Sequence, residues 1–255
     1  MPEQSIEHPV TSHVERSHYR QPVEEMLPHL RLPLTSENTD PMPSALLPTP
    51  QIHFDQAISL ILPLAYYDYE QCLLIYQNSI ALVTRRSSAI IQMILSHYHH
   101  FDHRIYKETM NLMLTQQPST RQYKTPIATS EYSLFPLTNA KSPATIWLNP
   151  ASVQNLSAGT HETIVHLFNT ISFRSPIEPR SVRNNMYTSF IAHGIMKRDF
   201  TPTVVQENMS LYEYLHLPYS KEITKIIQNT SYADIPGKRG SLMAYYFSIF
   251  NEHTY

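Results

Sequence analysis

Four histidines and an aspartate crowd one short stretch: His97, His99, His100, Asp102 and His103, written HYHHFDH. The order nearly spells His-x-His-x-Asp-His, a metallo-hydrolase pattern that offers imidazoles and a carboxylate to two zinc ions. One residue too many separates His99 from Asp102. That chemistry also needs isolated ligands further along, for which His161, His166 and His193 are available, and many tight glycine turns. The chain has four glycines (Gly159, Gly194, Gly237 and Gly240), where usage of about 7% would give roughly 18. A zinc-dependent hydrolase is therefore the alternative reading of the cluster, and adventitious metal binding by surface histidines is the plainer one. A third is pH-dependent positive charge, because free imidazole titrates near pH 6.5. The glycine shortage also argues against a phosphate loop, a dinucleotide fingerprint and a nucleophile elbow. Serines and histidines show no nucleophile–base spacing, so no catalytic residue is assigned and no cofactor is expected.

Phosphate neutralisation is the second chemistry the residues offer. Residues 85–124 hold Arg85, Arg86, Arg104, Lys107, Arg121 and Lys124 against only Asp102 and Glu108, and Lys141 follows. The overall charge of −2 hides a split along the chain. Residues 1–50 carry three arginines against seven carboxylates, a net −4, and the remainder is +2. A local basic surface for DNA fits this distribution, with solvated side chains as the bland alternative. The acidic segment is positioned in sequence to compete with DNA for that surface.

These groups need a scaffold, and residues 123–150 show what kind. The stretch YKTPIATSEYSLFPLTNAKSPATIWLNP holds the single tryptophan, Trp147, and the prolines 126, 136, 143 and 150. Proline fixes φ and biases its predecessor toward extended backbone, so short strands and rigid turns are expected, and no helix. Trp147, between Ile146 and Leu148, reads as core. Upstream, 57–63 reads as a buried strand and 72–84 as a hairpin about Gln77-Asn78-Ser79. Residues 87–97 are ambiguous between helix and strand, 106–114 lean helical, and 163–173 suggest strand pairing about Asn169. Helices are expected over 181–197 and 220–228, with a helical turn at 210–216. The apolar tail LMAYYFSIF must bury itself or bind something.

Residues 1–50 contain nine of the twenty prolines and no apolar period, so a flexible, Pro-rich acidic arm is expected ahead of a domain at 51–255. Leu27, Leu30, Leu32 and Leu34 offer a minor alternative, a short docking segment. The fold class expected is α+β: one domain, β-rich to residue 173 and helical after it. A single cysteine, Cys72, excludes an internal disulfide and suits a reducing compartment. No segment approaches the roughly 18 apolar residues of a membrane span, so a cytoplasmic protein is expected.

The order YKTPI, then FP, KSP and IWLNP resembles the ComK family of bacterial competence transcription factors. Lys124, Pro126, Ile127, Phe135, Pro136, Ser142, Trp147 and Asn149 fit the family's pattern. Thr145 stands near the place where the family often has cysteine, and Leu137 interrupts its Phe-Pro-Thr step. LLIYQNSIALVTRRSSAII, the segment about Met186 to Phe190, and HLPYSKEITKII extend the resemblance to roughly 57–230. The family's glycine-arginine-rich segment appears here as SHYHHFDHRIYKET, which keeps Arg104, Lys107 and Thr109 without a glycine.

The resemblance implies an activator of DNA-uptake genes that binds A/T-rich duplex as an oligomer, largely through the minor groove. It implies RNA polymerase and an adaptor–protease complex as further partners, and a place on the nucleoid. Arg85, Arg86, Arg104, Lys107, Lys124 and Lys141 are the expected DNA contacts, and Leu217, Pro218 and Tyr219 the candidate adaptor patch. A relative that keeps the fold but has lost DNA binding is the other alternative.

Overall fold

The computed structural model describes residues 20–30, 32–36, 46–115, 124–159, 162–202, 205–206 and 208–254. The arm expected at 1–50 is docked wherever it is described. Strand β1 (Gln21–Pro22) and the one-turn helix α1 (Val23–Met26) lead it, and β2 (Pro48–Thr49) closes it. Val23 and Met26 are buried, and Leu34, expected only as a minor docking option, is fully buried beside Phe173. Residues 1–19 and 37–45 lie outside the described residues.

The unbroken apolar run at 58–63 becomes β3 (Ile58–Pro63), buried at every residue. The hairpin forms with Gln77-Asn78 at its turn, between β4 (Cys72–Tyr76) and β5 (Ser79–Val83). The ambiguous isoleucine-rich run becomes helix α2 (Ser87–His99), which buries Ile90, Ile91, Ile94 and Leu95. Helix α3 (His103–Thr115) follows, so two helices interrupt the expected β-rich half.

The proline-punctuated stretch yields β6 (Ile127–Ala128), β7 (Ser133–Pro136) and β8 (Trp147–Leu148), and no helix. Trp147 is core, 1% exposed. One sheet runs β1-β5-β4-β3-β8-β7-β6, with β2 alongside β5 in parallel. A second sheet holds β9 (Val153–Ala158), β10 (Thr163–Leu167) and β11 (Ser172–Ser175) in the order β11-β10-β9. Asn169, in the turn between β10 and β11, donates its Nδ2 to the carbonyl of Tyr76 at 2.9 Å and so ties the two sheets together.

Helix α4 (Pro179–Phe200) crosses behind, burying Val182, Met186, Phe190 and Ile195. Short helices α5 (Leu211–Leu215) and α6 (Lys221–Ile227) start on side-chain caps from Ser210 and Ser220. The apolar tail folds as α7 (Ser241–Thr254), packed on α3 and α4. One continuous core runs through all these elements. The fold is α+β.

Candidate nucleic-acid interface

Helix α3 begins where Asp102 caps it, its Oδ1 accepting from the amides of Arg104 (2.8 Å) and Ile105 (3.0 Å). The turn before it uses His100 at φ 56°, a left-handed position that glycine ordinarily fills. The α2–α3 corner is thus made without glycine. Ile105, Tyr106, Thr109, Met110 and Met113 face inward. The Tyr106 hydroxyl accepts from the Ala128 amide at 2.8 Å and donates to the Pro126 carbonyl at 3.4 Å. That buried tyrosine pins α3 to β6, which starts three residues beyond Lys124. Thr109, shared with the resembled family, is also structural, its hydroxyl donating to the Ile105 carbonyl.

Arg104 and Lys107, one turn apart on α3, are exposed and half-buried respectively. The charge of Lys141, in the loop between β7 and β8, acts on Lys107. That loop is preorganised by its own polar residues: Asn139 Oδ1 accepts from the Lys141 amide at 3.0 Å and the Leu137 amide donates to Ile146. Thr138 and Thr145 hydroxyls meet at 3.1 Å across its neck. Lys107 is held below the usual lysine pKa by partial burial and by the nearby positive charge of Lys141. Lys124 is depressed by burial. Arg20, Arg86, Arg104, Arg174, Arg183 and Arg198 each face a carboxylate; among the described residues Lys107, Lys124 and Lys141 do not.

Arg85 and Arg86 stand apart from this group. Arg85 donates its Nε to the Pro50 carbonyl at 2.9 Å, and Arg86 is ion-paired with Glu70, which raises its pKa. Of the six basic residues expected to contact DNA, Arg104 and Lys107 lie on α3, Lys141 acts on Lys107 from the β7–β8 loop, Lys124 precedes β6, and Arg85 and Arg86 are engaged at the entry of α2.

Set against family models, curated proteins and solved structures, the chain matches none. Its functional reading rests on these side chains and on the resemblance of its sequence.

The histidine cluster is dispersed by the fold. His97 stacks on Phe54 at 4.1 Å, and His99 lies against Phe200 at 4.3 Å and Phe101 at 5.5 Å. Burial pushes His99 down to about 4, leaves its Nε2 without a partner, and also lowers His103. His166 meets the Ser157 hydroxyl, and buried His193 faces the Ser130 carbonyl. Among the described residues, no three of the His, Cys, Asp and Glu side chains are grouped to hold a metal ion; His161 lies outside them. Two of the four clustered histidines, His97 and His99, are thus taken up by aromatic neighbours.

Leu217, Pro218 and Tyr219 form the loop between α5 and α6. Leu217 is buried, but Tyr219 is 73% exposed and, with Tyr212, Thr224, Ile227 and Gln228, lines a hollow of about 240 Å³. Sequence reasoning missed Tyr106 as the pin of α3, and it missed Arg174. In β11 the buried Phe173 and Ser175 flank the exposed Arg174, an alternation that was available to read.

Among the described residues, no helix is long and apolar enough to cross a membrane.

Proposed function

We propose that this chain is a DNA-binding transcriptional activator of the ComK type, acting on DNA-uptake genes through A/T-rich duplex. The observation that supports this most is that Lys107, half-buried on α3, and Lys141, set in the hydrogen-bonded β7–β8 loop, carry no ion pair among the described residues, with the charge of Lys141 acting on Lys107. Two ammonium groups held together repel, and a phosphate between them would relieve that repulsion. Lys124 and Arg104 add positive charge on the same helix–strand unit. A narrow A/T minor groove is strongly negative and rewards such cations.

Oligomeric binding, recruitment of RNA polymerase, delivery to a protease through Leu217, Pro218 and Tyr219, and a place on the nucleoid belong to the same proposal. They are supported by the sequence resemblance alone. The zinc-hydrolase reading is not taken further, because among the described residues no three of its candidate ligands are grouped to hold a metal ion.

A gel-shift on A/T-rich duplex at low salt tests the proposal. Lys107→Ala/Lys141→Ala should weaken binding at least tenfold, while Arg86→Ala, on the separate turn that enters α2, should change it less than twofold. Undiminished binding by the double variant would overturn the assigned surface. Absence of binding by the unaltered protein would favour a relative that keeps the fold without DNA.

A further inference from the structure

A second feature adjoins the lysines and plays no part in the surface described above. A groove of about 500 Å³ opens where three segments meet. Ser36 from the docked N-terminal segment forms one wall, Thr138, Asn139 and Ser142 of the β7–β8 loop another, and Arg174 with Ser175 of β11 the third. Six of its eleven lining residues carry a hydroxyl or amide side chain, three (Ala144, Ile146 and Pro176) are apolar, and the other two are Arg174 and Glu162, ion-paired to each other.

Hydroxyls, amides and arginine are the groups that contact phosphodiester oxygens. The groove is also continuous with the basic surface, since Lys141 lies between Asn139 and Ser142 in the same turn. That turn is rigid before any ligand arrives: the Ser142 amide donates to the Asn139 carbonyl at 2.9 Å, and the Ser142 hydroxyl accepts from the Ala144 amide at 3.3 Å. The backbone of Arg174 is equally fixed, its amide donating to the Leu34 carbonyl at 2.9 Å.

We infer that this groove is a second phosphate-binding subsite for duplex DNA, with Arg174 as the contact and Glu162 as its built-in competitor. The inference rests on the DNA-binding reading above. The Arg174 and Glu162 side chains are 45% and 31% exposed, so their pair is screened by water and worth little on its own. An arriving phosphate takes Arg174, and Glu162 turns to solvent. Glu162 therefore weakens loose, nonspecific binding, because every phosphate that enters must displace it.

The test is fluorescence anisotropy on A/T-rich duplex over a salt series, with thermal melts to confirm that each variant is folded. Arg174→Ala should lower affinity about three- to tenfold and reduce the salt slope by about 0.9, the value for one lost phosphate contact. Glu162→Gln, which preserves size and serves if Arg174→Ala does not fold, should raise affinity severalfold. If both variants match the unaltered protein while Lys107→Ala/Lys141→Ala binds weakly, the subsite is refuted and the DNA reading stands. If the unaltered protein binds no duplex, both fall together.

Discussion

Lys107 is held half-buried beside Lys141, an arrangement that costs free energy in the unbound protein and is relieved by an anion. The histidines show the reverse arrangement. His193 is buried on α4, its pKa pushed down to about 4 chiefly by burial, and His99 behaves alike between its aromatic neighbours. In the unfolded chain both titrate near 6.5, so between those values the unfolded state holds more protons and stability falls as pH falls. For His193 the full loss is about 3 kcal/mol, absent above pH 6.5 and complete below pH 4. Thermal melts from pH 7 to pH 4 should show a steep fall in midpoint, and His193→Gln should flatten it. A midpoint independent of pH over that range would mean that these imidazoles are not buried neutral.

Helix α3 is tied to β6 by one hydroxyl. Tyr106→Phe leaves the buried Ala128 amide without its acceptor and should cost about 1–3 kcal/mol in chemical denaturation. It should weaken DNA binding as well, because α3 loses its register on β6; unchanged stability would show that the pin is dispensable. The elements themselves were largely legible. Two apolar runs about Gln77-Asn78 could only pair as a hairpin, and prolines 126, 136, 143 and 150 excluded any helix from that stretch. Strand β9 was not legible: its exposed Gln154 and Asn155 interrupt the apolar alternation, and β10 is what makes it a strand. Helix α2 was left open because a run of isoleucines suits either state. At the site, the residue types were readable but the pairings were not. Arg86 pairs with Glu70, sixteen residues away, and the charge of Lys141 acts on Lys107 across 34 positions of sequence. Such non-local encounters leave no mark on the spacing of residues.

Across the whole molecule, the docked N-terminal segments change what the acidic arm can do. Leu34 is 0% exposed and bridges to Phe173, Arg20 is ion-paired with Asp55, and β2 extends the sheet beside β5. Deleting residues 1–50 should therefore unfold part of the core rather than simply release DNA-binding charge. Leu34→Ala alone should cost about 2–5 kcal/mol by equilibrium denaturation; a loss under about 0.5 kcal/mol would show that the segment is only loosely held. Competition between arm and DNA is better tested by neutralising Glu24 and Glu25, exposed on α1, with the fold left intact. The central claim is that the cations about α3 neutralise DNA phosphates, and the salt dependence of duplex affinity measures that directly. With Arg104, Lys107, Lys124 and Lys141 each engaging one phosphate, log affinity against log salt should fall with a slope of about −3.6, or about −4.5 with Arg174 engaging a fifth. A slope near zero, or no binding to A/T-rich duplex even at about 50 mM salt, would contradict the account.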